Sequence, residues 1–335
     1  MCGLCEFTHS FVSISAGPDP VLPDFDLVYV GYTDYGADPP ANHVAVLRGS
    51  VPTRRLRDRV VSASPRAGAL AAAALRVAAD PARGAVYALW QDPAGVDPAS
   101  CARRVDLRLA RSLDGGDTWD AGDSARGTLI AETRSFQGRN DASSSPASCR
   151  RINQKFGGVN ALLGGTAALA VDLATGDALI AFADLGPTAS TQAIFLARVT
   201  FGGAGEPPLV SVHPVSTGAS ANAALPSVAA EANGTVGVLY DTYDGKSGHR
   251  PRFTTHLAQS VDGGATFVDQ ALVSFVSPVA SNAHAAQRAL GDYQQMKAVG
   301  GIFYAAFPAN GAEAGRPIES IDPFFARVPA LPRAP

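Results

Sequence analysis

The chain has 335 residues, 46% apolar and 17% charged, with a net charge of −3. That balance allows a sizeable core and excludes a disordered chain and the basic surface that nucleic-acid binding needs. Gly and Pro number 34 and 24, a density of helix breakers and turn formers that points to an all-β chain of many short strands.

Met1 to Asp19 lacks the basic and then apolar pattern of a signal peptide, and no later apolar run approaches the roughly 20 residues that span a bilayer. Cys2 and Cys5 form a C-x-x-C with no second pair to complete a zinc site. Leu27-Val28-Tyr29-Val30-Gly31-Tyr32, with Asp34, is the first copy of a phrase: an apolar strand closing on an aromatic. It returns at Ala85–Trp90 with Asp92, at Ala178–Phe182 with Asp184, at Thr235–Tyr240 with Asp241, and at Ile302–Phe307. The copies lie about 60 residues apart with one gap of about 90, which is the mark of a repeat architecture.

A partner strand precedes three of the phrases: Leu75–Asp80, Ala168–Asp172 and Ser227–Glu231. Tight turns containing Gly84, Gly176 or Gly234 join each partner to its phrase. A third strand follows at Val105–Ser112, Ala193–Thr200 and Phe253–Ser260, each holding Leu-Ala at the same place. The long gap contains Arg134 to Lys155, which reads as a loop insertion. Cys101 and Cys149 lie in polar segments, where a disulfide suits an exported protein and free thiols an internal one.

Two of the third strands run into Ser112-Leu113-Asp114-Gly115-Gly116-Asp117-Thr118-Trp119 and Ser260-Val261-Asp262-Gly263-Gly264-Ala265-Thr266-Phe267. This is S-x-D-x-G-x-T followed by an aromatic. The Asp can accept backbone N–H groups inside the turn, the Gly can take positive φ, and Trp119 and Phe267 are expected to be buried. Ser112, Asp114, Gly116, Trp119, Ser260, Asp262, Gly264 and Phe267 are therefore expected to be structural.

The paired motifs resemble the Asp box of the sialidase-like, BNR-repeat β-propellers, over roughly Leu27 to Phe307. The resemblance implies one propeller domain over residues 1–335. It implies six blades, with five repeats visible and a sixth completed by Phe7–Ala16 and Phe324–Pro329. Residues 1–20 and 324–335 would close or flank the ring. An extracellular or periplasmic location and a monomer are expected with it.

In such a propeller the long loops collect on the face opposite the Asp boxes. A glycan or protein ligand is expected there, contacted by Asp292, Tyr293, His249, Arg250, Arg252 and Arg288, with Asp241–Arg252 as one short loop. A sialidase also needs three arginines, a Tyr nucleophile with a Glu, and an acid/base Asp. The family's Arg-Ile-Pro motif is absent and only six glutamates occur, so a binding module without the complete sialidase set is expected. The alternatives are a glycoside hydrolase using Asp292, Asp241, Asp244 or Tyr243, and a structural or assembly-factor propeller. No cofactor is expected, although Asp241-Thr242-Tyr243-Asp244-Gly245 has a faint likeness to a calcium loop.

Overall fold

The computed structural model describes residues 9–19, 24, 26–34, 41–48, 55–63, 73–120, 127–135, 147–149, 155–160, 167–185, 191–203, 206–216, 222–281, 289–291, 294–311, 315, 317 and 320–333. Among them lie nineteen strands and one 3-10 turn, Ala147–Cys149, so the chain is all-β. Two compact units are formed. One takes Met1–Ala94, Val105–Glu132 and Phe201–Leu209, and the other Gly95–Arg104, Thr133–Thr200 and Val210–Pro335.

The strands make five meander sheets in which sequence neighbours are sheet neighbours. The first holds β1 (His9–Pro18), β2 (Asp26–Asp34), β3 (Ala41–Arg48) and β4 (Arg55–Ala63). The second holds β5 (Ala73–Asp80), β6 (Ala85–Val96), β7 (Arg103–Ser112) and β8 (Thr128–Ser135). The third holds β9 (Ala168–Val171), β10 (Ala178–Leu185), β11 (Gln192–Thr200) and β12 (Leu209–Pro214). The fourth holds β13 (Ala223–Ala230), β14 (Val236–Ser247), β15 (Arg250–Ser260) and β16 (Val268–Val276). The fifth has three strands, β17 (Gln295–Val299), β18 (Ile302–Ala309) and β19 (Asp322–Pro329), with Pro323 and Pro329 in its last strand.

Each repeated phrase is the second strand of a sheet, as its spacing predicts. The expected sixth sheet is not formed among these residues. β1 pairs with β2 as the missing first strand of the first sheet, and β19 pairs with β18 as the third strand of the last. The two terminal strands complete existing sheets instead of joining each other.

The phrases are continuously apolar because both faces of each second strand are covered. In β14, Val236, Val238 and Tyr240 belong to one apolar layer with Leu179, Ala181 and Leu196. Leu239, on the other face, belongs to a second layer with Phe253, Leu257, Met296 and Phe303. Each fully buried Leu or Phe there contributes about 1.5–3 kcal/mol. First strands lie side by side and are stitched by serine. Ser13 and Ser15 of β1 accept the Val77 and Ala79 amides of β5, and Ser227 of β13 accepts the Met296 amide of β17.

The two S-x-D-x-G-x-T turns join third to fourth strands and have the same wiring. Ser112 Oγ accepts the Gly116 amide at 2.8 Å, and Ser260 Oγ accepts the Gly264 amide at 2.8 Å. Asp114 accepts the Thr118 amide and hydroxyl, and Asp262 those of Thr266. The Thr266 hydroxyl and amide hold the Asp262 carboxyl far below its ordinary range. At Asp114, burial pushes the carboxyl up, but the Thr118 bonds outweigh it and the net shift is downward. Gly116 and Gly264 have φ of +90° and +96°, which disfavours any other residue. Trp119 and Phe267 are half-buried, not buried as expected: each leaves its turn ahead of the fourth strand, packed against the apolar layer and partly exposed.

One position near the end of the third strand performs the same task in several sheets. Val46 packs where a side chain on Gly116 would go, and the Arg111 guanidinium lies 4.4 Å from the Phe201 ring centre. Arg198 reaches the Gly263 carbonyl at 3.1 Å while its other nitrogens bind Asp177 and Asp172. Gln259 grips both the Pro329 carbonyl and the Leu331 amide. Arg198→Ala would leave two buried carboxylates without their cation, at a cost of about 3 kcal/mol. Asp114→Ala, in an exposed turn, should cost about 1 kcal/mol. Urea unfolding of both variants checks this ordering.

Candidate functional site

The longest hairpin is β14–β15, and its second-to-third-strand end carries most of the candidate residues. Asp241–Arg252 is not the expected short loop. Its strands run on to Ser247 and from Arg250, with a bulge between Tyr243 and Lys246. Six residues of strand span about 20 Å, so Asp241 and the hairpin tip cannot share one small site. His249 stands exposed at the tip and Arg252 is exposed. Arg250 is half-buried, with one Nη buried without a hydrogen-bond partner. Arg288, Asp292 and Tyr293 lie outside the described residues.

Strand alternation separates the two aspartates. Asp244 turns to the face of Tyr240 and Thr242, where the hydroxyls of Thr242 and Thr254 occupy its two oxygens. The same face carries a continuous polar chain. Tyr240 donates to Asp269, His256 Nδ1 meets the other Asp269 oxygen at 2.8 Å, and His256 Nε2 meets Thr242 Oγ1 at 3.1 Å. Burial, with the charge of Asp269 adding to it, pushes the Tyr240 hydroxyl well above its ordinary range. The five residues with a faint likeness to a calcium loop are thus extended strand with carboxylates on opposite faces. No cluster of three or more His, Cys, Asp or Glu placed to hold a metal occurs among the described residues.

Asp241 turns to the other face and is fully buried. Its oxygens accept the Thr255 hydroxyl at 2.7 Å and the Gln294 amide at 2.5 Å. Burial pushes its carboxyl up to about 7. The Thr255 bond, the charge of His256 and the Gln294 bond pull it down, and Asp244 pushes it up further. Gln294 precedes β17, and its Oε1 is buried with no hydrogen-bond partner.

A turn at Phe156–Asn160 completes this region. Phe156 and Asn160 bridge each other, and the Phe156 ring packs 5.3 Å from Phe253. Gly157 has φ of +57°, and a side chain there would strike the rings of Phe253 and Tyr243. The buried Asn160 amide donates to the Gly291 carbonyl and accepts the Leu290 amide, both at 2.9 Å. The backbone on one side of residues 292–293 is therefore tied to Asn160, and the side chain on the other is tied to Asp241. All of these residues belong to one compact unit. In the same unit Cys101 and Cys149 form a disulfide that joins the β6–β7 turn to the 3-10 turn.

Sequence reasoning found Asp241 through its place after the fourth phrase. It missed Thr255, Gln294 and Asn160. A polar residue inside an apolar strand was the available signal for Thr255. Gln294 and Asn160 carry no local signal.

No family model matches the chain, and no curated protein matches its sequence. Solved structures do match its fold. An α-L-arabinanase of Penicillium chrysogenum, complexed with arabinobiose, is similar over 90% of this chain and 76% of its own, at 15% identity and a TM-score of 0.54. The α-L-arabinofuranosidase Arb93A of Fusarium graminearum, in complex with an iminosugar inhibitor, is similar over 93% and 80%, at 10% identity and a TM-score of 0.51. This chain is a β-propeller. At these identities the likeness is one of fold: it supports the propeller that the motifs imply and does not extend to the sialidase-like type. The five sheets are its blades.

Asp241 makes stability depend on pH. Its folded carboxyl titrates near 7 against 3.8 unfolded, so the folded state holds the extra proton between those values. Stability from this group is complete below about pH 4, is lost as pH rises towards 7, and is level above. The loss is at most about 4 kcal/mol. Asp241→Asn should flatten that part of the curve, as read from chemical denaturation at a series of pH values.

Proposed function

We propose that this propeller binds a carbohydrate at the loop end of its fourth blade, beside Asp241, Gln294 and the Phe156–Asn160 turn. The observation that carries the reading is a set of buried polar groups. Asp241, Thr255, Gln294 and Asn160 occupy positions where apolar residues would stabilise the fold more, since buried polar groups are costly unless fully matched. They converge from three segments that bracket Asp292 and Tyr293, the residues proposed to touch the ligand. Sugar hydroxyls both donate and accept, which suits such a set.

The fold adds support by analogy. The two enzymes that share it act, by their names, on arabinose-containing glycans. A disulfide between Cys101 and Cys149 suits an oxidising compartment, hence an exported protein. Among the described residues no helix is long and apolar enough to cross a membrane.

A hydrolase is the second reading, favoured by the Asp241 carboxyl near 7, the range in which a general acid works at neutral pH. It requires a second carboxylate roughly 5 to 9.5 Å away. Asp244 does not supply it from the opposite face of the sheet, and Asp292 is the candidate we assign to it.

A glycan array that includes arabinobiose and sialosides, run beside fluorogenic glycosides, separates the readings. Binding without turnover supports the first, and turnover with a pH profile set by Asp241 supports the second. An array with no bound glycan, together with no turnover of any glycoside, rejects both. Asp292→Asn should weaken a bound glycan about tenfold or more with an unchanged melting temperature. His249→Ala, at the distant hairpin tip, should leave affinity unchanged.

A further inference from the structure

Asp241 and Gln294 have more hydrogen-bonding capacity than their surroundings use. A glutamine side chain ends in a carbonyl and an amino group, exchanged by a half-turn of its last torsion. One end of Gln294 lies 2.5 Å from Asp241 Oδ2, while the other is buried without a partner. Asp241 Oδ1 is engaged by the Thr255 hydroxyl.

An ionised Asp241 can only accept, so it must face the amino end of Gln294. A protonated Asp241 has Oδ2 free to carry the proton and can donate to the carbonyl end. Either arrangement keeps one end of Gln294 on Oδ2 and leaves the other spare, and burial favours the protonated acid at and below neutral pH.

We propose that Asp241 and Gln294 form a proton-operated amide switch in the loop-end site. With Asp241 protonated, Gln294 presents its amino end as the spare group. With Asp241 ionised, it presents its carbonyl. The charged groups acting on Asp241 are His256 on β15 and Asp244 on β14. β13 has no ionisable residue, its own sheet face carries Leu239, Phe253 and Leu257, and β17 turns Met296 inward and Lys297 outward. The switch exists whatever the ligand is, and its use in recognition rests on the carbohydrate reading. A site that offers a donor below neutral pH and an acceptor above it would change its preferred sugar hydroxyl contact, directly or through one water.

The test follows the Gln294 side-chain amide of the wild-type protein by NMR between about pH 5 and 9. The expected result is a change in both amide resonances with a midpoint near 7, absent in Asp241→Asn. A Gln294 amide that stays constant across the range overturns the proposal, and this measurement needs no variant to fold. Any glycan retained by the array is then measured at both ends of the range. Affinity that changes about tenfold in wild type and stays level in Asp241→Asn supports the switch as part of recognition. Equal affinity at both ends overturns that role. An array with no bound glycan rejects the carbohydrate reading, while the amide titration still decides the switch.

Discussion

Burial of both faces of a second strand is the constraint on which the structure rests. A strand covered on one side can alternate apolar and polar residues, but β10 and β14 cannot. Their unbroken apolar runs follow from packing each blade against a neighbour, and so do the serines that stitch first strands together. A hydroxyl is small enough to sit between two backbones and still accept an N–H that has no ladder partner there. The turn motifs serve the same packing from the blade's end: a glycine at positive φ lets Val46 approach Gly116 and Leu196 approach Gly264.

That packing gives the buried polar set its meaning. An aspartate in the middle of β14 faces a layer that elsewhere holds Leu, Phe and Met. It is kept there by Thr255 and Gln294, and its proton is held by the surrounding hydrocarbon. The opposite face of the same strand solves a similar problem differently. There Tyr240, His256, Asp269, Thr242 and Asp244 share their hydrogen bonds along a chain, leaving each carboxylate oxygen of Asp244 occupied. One strand therefore carries a saturated network on one face and an unsaturated pair on the other, and chemistry is expected where capacity is left over.

Much of the fold could be read from the residues because its signals are local. The apolar phrase, the glycine turns and the S-x-D-x-G-x-T motif each act within about ten residues, and all marked real strands and turns. The blade count depends on which strands the two ends of the chain join, and no local pattern encodes that. The Asp241–Arg252 segment reads as a loop because Asp244, Gly245, Lys246 and Ser247 look like loop residues, although pairing of Tyr243 with Phe253, Lys246 with Pro251 and Ser247 with Arg250 carries the hairpin past the bulge at Asp244 and Gly245. In the site, Asp241 was legible and its partners were not. Gln294 lies 53 residues away in sequence from the carboxylate it meets. Asn160 is 130 residues from the Leu290 amide it accepts, a distance across which one sequence offers no correlation.

The fifth blade ends on β19, whose outer edge has no fourth strand among the described residues. The amide of Ala330 points back to Gly301, so by strand alternation the nitrogens of Pro323, Phe325, Arg327 and Pro329 point outward. Two of these four are prolines and bring no N–H. A strand from another molecule would find the first and the last of these donors missing, with a charged Arg327 between them. The open edge is thereby made a poor template for stacking copies into aggregates, which lets a three-stranded blade stand at the margin of the fold without inviting polymerisation.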